Sequence, residues 1–249
     1  MRVRVRVRVR VRVQRVAEAD VDSTLRIAIV GAESTGKTAL AQALSRRIAT
    51  LTGLRCTWVG EHLRAWCDSH GRTPRPDEQP AIAARQQALI DDAARAHDVV
   101  VCDTTPLMTA VYSDWLFNDQ SLQAQAVAWQ RRCQLTLLTA LDIAWQPDGL
   151  QRDGPQVRLP VDDRVRRLLI GHGLPWAVVS GQGEARLESA TDAVAPLLRA
   201  WRGPADGLFS RLAARDAGQP VWRWACGCDT PDCDHALLRQ RVASTPPAS

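Results

Sequence analysis

The sequence predicts an α/β protein: a doubly wound parallel sheet followed by a small Cys-rich extension at the C-terminal end. Three observations predict it. Short apolar runs of strand length alternate five times with longer segments of helical period. A glycine-rich loop joins the first run to the first helical segment, and a Gly/Pro-containing linker precedes a cluster of cysteines.

The first run, Leu25-Arg-Ile-Ala-Ile-Val30, is β-branched and reads as a buried strand, and Ala39 to Ile48 reads as a helix. Between them lies "GAESTGKT", residues 31 to 38, a Gly-x-x-x-x-Gly-Lys-Thr phosphate-binding loop whose glycines let backbone N–H groups face a polyphosphate. Lys37 is the only lysine among 32 basic residues, the rest being arginine. A compact ammonium reaches β/γ oxygens inside a ring of amides, where a planar guanidinium fits badly. Gly31, Ala32, Glu33, Ser34, Thr35, Gly36, Lys37, Thr38 and Ala39 are therefore the expected nucleotide contacts.

The next strand spans residues 55–60 and ends at "GEHLRAW", which puts Glu61 and Arg64 at the carboxyl edge of the sheet, where ligands bind in open parallel folds. Glu61 is expected to act as general base or as anchor for a substrate hydroxyl; capping the following helix is its plainer role. A helical pattern over residues 77–97 leads to Asp98-Val-Val-Val-Cys-Asp103, a strand closed by an aspartate in the Walker B manner. Asp103 and the Thr38 hydroxyl are the expected Mg²⁺ ligands, with capping of the next helix as the plainer role of Asp103. Helices over 106–117 and 121–133 and a strand over 135–140 follow. Residues 145–158, rich in Gly, Pro, Asp and Arg, read as a lid loop, with Arg152 and Arg158 placed to close over a transferring phosphoryl group. A helix over 161–172 and a strand over 176–180 complete the series, and Arg186 in the next loop is a nucleotide candidate. This order gives a P-loop NTPase or nucleoside-kinase-like sheet, with ATP and Mg²⁺ as cofactors.

At 249 residues the chain holds one full core plus an appendage. The expected division is an Arg-Val tail over 1–23, a kinase-like domain over 24–202, a linker over 203–220 and a Cys-rich tail over 221–249. The net charge of +5 does not describe the body, because seven arginines between positions 2 and 15 exceed it. Any nucleic-acid contact is thus confined to that repeat, which reads first as a simple-sequence expansion and second as a ribbon for a polyanion or anionic lipid. There is no secretory apolar segment or membrane span, and the seven cysteines suit a reducing cytoplasm. Cys226, Cys228, Cys233 and His235 offer four ligands within ten residues, a candidate Zn²⁺ set, with free thiols as the alternative.

With these segments in order, the chain resembles the ribosylnicotinamide kinase domain of bifunctional bacterial regulators of NAD biosynthesis, and the related AAA-type ATPase-like family. The resemblance covers about residues 24 to 200 and rests on "GAESTGKT", "GEHLRAW", "CDTTPLMTAVYSDWLF" at 102–117, "LTLLTALDIAWQPDGLQRDG" at 135–154 and "GLPWAVVSGQGEARLESATDAV" at 173–194. It implies ATP-dependent phosphorylation of the 5′-hydroxyl of nicotinamide riboside, with Glu61 or Asp103 orienting the acceptor. Trp58, Trp66, Tyr112, Trp115 and Trp145 are then candidates to stack on a pyridinium ring. The stretch "DTT" at 103–105 carries one carboxylate where many relatives have two. The competing reading is a P-loop ATPase acting as a regulatory switch, with a macromolecular partner on the zinc tail.

Overall fold

The computed structural model describes residues 24–146 and 154–202. The Arg-Val tail, Arg152, the linker and the four candidate zinc ligands lie outside the described residues.

Five strands form one parallel sheet in the order β2-β3-β1-β4-β5, where β1 is Leu25–Val30, β2 Cys56–Val59, β3 Val99–Asp103, β4 Leu135–Thr139 and β5 Trp176–Val179. Every neighbouring pair is parallel, so each connection is a helical crossover. β1, β3 and β4 are buried along their whole length, which is why their sequences read as continuous apolar runs rather than alternating ones. β1 lies between β3 and β4, and the chain leaves it in both directions. The carboxyl ends of these three strands therefore meet at the switch point of the sheet.

Helices cover both faces. α1 (Lys37–Thr52) packs on β2, β3 and α7 (Glu184–Arg202). α4 (Pro106–Phe117) is the hub opposite, touching α3 (Gln79–Ala94), α5 (Gln123–Gln130) and α6 (Arg158–Gly171). One apolar cluster joins Val30, Leu107, Val111, Leu138, Val161 and Leu169; another joins Ala28, Val59, Ile90, Val100, Cys102 and Trp129. Among the described residues no helix is long and apolar enough to cross a membrane.

The strands follow the sequence pattern closely; three helical boundaries do not. The long pattern after residue 76 divides into a single 3₁₀ turn, Pro76–Glu78, and α3, because Pro80 lies in the first turn of α3, where proline fits. α6 begins at Arg158, three residues earlier than the sequence predicts, which moves Arg158 from the loop into a helix start. The loop expected around Arg186 is instead the start of α7, a 19-residue helix that keeps Pro196 in its interior. It is anchored on α1 by Arg47, which donates to Glu188 at 2.5 Å and also pairs with Glu184.

Candidate active site

The phosphate-binding loop is held in shape by backbone conformation and by what lies beneath it. Gly31 has φ 145°, and a Cβ there would collide with the Thr139 hydroxyl at the end of β4. Gly36, the residue capping α1, has φ 74°, and Ser34 between them sits in the left-handed region at φ 57°. Below the loop the buried Thr35 hydroxyl donates to the Ala32 carbonyl at 2.8 Å and lies 2.7 Å from Thr139 Oγ1. The first intrahelical bond of α1 runs from Leu40 N to Gly36 O at 3.0 Å, so the amides of Lys37, Thr38 and Ala39 stand at an open helix N-terminus with no acidic residue in its first turn. Orphan amides and the positive end of a 16-residue helix favour an anion there. Lys37 Nζ donates to Ala32 O at 2.8 Å, which holds the ammonium over the loop.

Asp103 closes β3 and is 1% exposed. Thr105, not Asp103, occupies the capping position of α4, so the carboxylate has no capping role. Both its oxygens are buried without a well-formed hydrogen bond among the described residues. Burial raises its pKa, opposed by the nearby Thr38 hydroxyl and by the charges of Lys37 and Arg64. A buried carboxylate with two unspent oxygens beside a threonine hydroxyl suits a hard, oxygen-seeking cation, and Mg²⁺ fits that donor set. Thr104, next in the chain, has φ 67°, a costly conformation for a β-branched residue, and lines the cavity described below.

That cavity has a volume of about 550 Å³ and is shared by two sets of residues. Glu33 to Ala39 form one wall. The other comes from α2 (His62–His70), from the loop through Thr73 and Pro74, and from α3 and α4. Glu61, Arg64, Gln79, Tyr112 and Phe117 line it. Glu61 stands at the capping position of α2, yet its side chain makes no capping hydrogen bond and faces this space. The loop is positioned by Glu78, which accepts from Arg72 Nη2 at 2.6 Å, from Nη1 at 2.8 Å and from Arg75 N at 2.7 Å. These bonds, Arg72's foremost, hold the Glu78 pKa at about 2.

Other expected residues sit elsewhere. Arg186 is 3% exposed and lies beneath the P-loop, not on the cavity wall: it donates to Thr35 O at 3.0 Å and Gly181 O at 2.7 Å, and pairs with Asp142. Its place in the nucleotide site is thus as a brace. Arg158 is buried at the start of α6; burial lowers the pKa of Arg186, Asp142 opposes that, and the like charge of Arg158 adds to the lowering. Arg158 Nε and Nη2 make no hydrogen bond among the described residues. Just before residue 147 the chain lies against the P-loop, where Gln146 N donates to Ser34 Oγ at 2.8 Å.

Of the five aromatics expected to stack on a ring, Tyr112 alone lines the cavity. Trp66 is stacked on His70 at 3.9 Å with the Arg72 guanidinium over it, and Trp115 carries Arg164 at 4.8 Å. Their faces are already used by protein. Sequence reasoning passed over Gln79, Thr104, Met108 and Phe117. The Pro at position 80 was the available signal for Gln79, since it marks a helix start; nothing in the sequence announces the left-handed Thr104.

Residues 26–186 match the family described as AAA domain. No curated protein matches the sequence. Among solved structures, the NadR protein in complex with NR is similar with a TM-score of 0.58 and 18% identity, over 70% of this chain and 51% of that one. The NadR protein in complex with NAD and AMP-PNP is similar with a TM-score of 0.57 and 17% identity, over 74% of this chain and 51% of that one. The chain thus spans about half the length of the NadR structures it matches. At these identities the likeness establishes the P-loop, kinase-like fold.

Proposed function

We propose, from the premise that this chain belongs to the AAA domain family, that it is an ATP-dependent small-molecule kinase whose acceptor is nicotinamide riboside. One observation carries the reading. A single cavity joins the P-loop to a wall of side chains large enough for a second small molecule. A P-loop that only hydrolyses nucleotide needs room for a water; transfer needs a chamber that holds an acceptor beside the γ-phosphate. The NadR structures with NR and with AMP-PNP support the same assignment by likeness of fold.

The chemistry divides among this chain's residues. The loop amides and Lys37 hold the β and γ oxygens. Mg²⁺, held by Thr38 and Asp103, would neutralise charge on those oxygens when bound. The acceptor's 5′-hydroxyl oxygen attacks the γ-phosphorus while the bond to the β–γ bridging oxygen breaks, and Glu61 or Asp103 receives the hydroxyl proton. ADP and the 5′-monophosphate result. Arg158, with two unspent guanidinium nitrogens, and Arg152 are assigned to the transferring group. The division into a kinase-like domain over 24–202 with tails at either end belongs to the same proposal, as does a cytoplasmic location.

The test is ADP release measured with and without nicotinamide riboside at saturating Mg·ATP. Acceptor-dependent release is the expected result. Release indifferent to every nucleoside tried would turn the assignment toward a regulatory ATPase.

A further inference from the structure

Three glutamines lie deep in the described structure, and they differ in how their amides are used. Gln130 accepts from Thr105 Oγ1 at 2.7 Å and donates to Thr136 Oγ1 at 2.8 Å. Gln86 accepts from His62 N at 2.6 Å and donates to Gly60 O at 3.3 Å, tying α3 to the turn that carries Glu61. Gln79 lies seven residues earlier on the same helix, close to two turns, and is 2% exposed. Its Oε1 is buried and has no hydrogen-bond partner among the described residues, and the residue lines the cavity. Buried amide oxygens in native proteins are nearly always paired, and one left unpaired destabilises the fold. An unpaired one on a residue that lines a chamber, with Leu63, Met108, Leu116 and Phe117 in the neighbouring wall, is placed to gain its partner from a molecule bound there.

We infer that Gln79 is a specificity-determining residue for the acceptor: its side-chain carbonyl receives a hydrogen bond from a neutral N–H or O–H group of the bound molecule. The inference rests on the kinase reading above. The apolar surroundings strengthen such a bond and penalise a molecule that offers no donor, because Oε1 then stays unpaired beneath it. Nicotinamide riboside supplies two donors of this chemistry, the carboxamide N–H on the base and a ribose hydroxyl.

The test compares wild type, Gln79→Leu and Gln79→Glu with nicotinamide riboside, its 3-acetylpyridine analogue, which lacks the N–H, and its 2′- and 3′-deoxy analogues. For wild type, kcat/KM falls roughly ten- to hundredfold for the analogue missing the recognised donor. In Gln79→Leu the parent acceptor falls by a similar factor and the preference collapses to about threefold or less, with KM for ATP unchanged. Gln79→Glu keeps an acceptor oxygen and retains the preference. Thermal melting of Gln79→Leu is equal to or above wild type, because an unpaired buried oxygen has been removed; a residue needed only for folding would melt lower. Full discrimination in Gln79→Leu, with acceptors still phosphorylated, overturns the role of Gln79 and leaves the kinase reading standing. Failure of wild type to phosphorylate any of the four overturns both.

Discussion

The two walls of the cavity are made differently. The nucleotide wall is built from consecutive residues, 33 to 39, and the loop that carries it, from Gly31 on, takes its shape from backbone: three left-handed residues, a helix N-terminus and a brace of buried side chains beneath. The acceptor wall is assembled from α2, a loop, α3 and α4, and its shape comes from side chains. The first wall is bound by the geometry of the main chain and tolerates little change. The second can change its ligand by changing a rotamer or a single residue, as expected where a common phosphate donor meets a particular acceptor.

Mutation should separate the walls. The largest effect belongs to Lys37→Ala, for which phosphoryl transfer should fall by about a thousandfold, as for loss of one charge-stabilising group, with the melting temperature little changed. Gly31→Ala should be next: a Cβ at φ 145° meets Thr139, so unfolding by denaturant should show about 2–3 kcal/mol lost. Arg186→Met should raise KM for ATP about tenfold by leaving the Thr35 carbonyl unpaired under the loop, with KM for the acceptor unmoved. Equal effects on both substrates would erase the distinction between the walls.

Asp103 gives a test by pH. Its pKa is raised above the ordinary 3.8 by burial, so the ionised form that would hold Mg²⁺ is lost as pH falls through that raised value. Activity at low fixed Mg²⁺ should therefore fail at a higher pH than an ordinary carboxylate dictates. Stability has the opposite sign: a raised carboxylate pKa makes the ionised group a burden on the fold, so Asp103→Asn should be inactive but no less stable at neutral pH. The smallest effect is on the acceptor wall. Glu78 has a depressed pKa of about 2, so its contribution to stability is full above the unfolded carboxylate range and lost as pH falls toward 2. Glu78→Gln loosens the Arg72 and Arg75 anchors of the loop and should raise KM for the acceptor about threefold, leaving ATP unaffected.

The same difference explains what the sequence disclosed. The P-loop, its strand and Asp103 were legible because their function depends on spacing along the chain, and spacing survives in a string of letters. Lys37 stood out further by being the only lysine. The acceptor wall was legible only at Glu61, Arg64 and Tyr112, since nothing local connects Gln79 with Phe117 across two helices. For Trp66 and Trp115 the sequence leaves stacking on a ligand and packing on protein as alternatives, and the structure gives the second, with His70 and Arg164 against them. Arg186 was placed near the nucleotide but on the wrong side of the loop, because its partners Thr35 and Asp142 are distant in sequence.

The most direct test of the kinase assignment is to follow the γ-phosphate itself. With γ-labelled ATP, Mg²⁺ and nicotinamide riboside, the label should appear in a nucleoside 5′-monophosphate, and that product should vanish in Lys37→Ala. Label recovered only as inorganic phosphate, at a rate that no acceptor alters, would contradict the account.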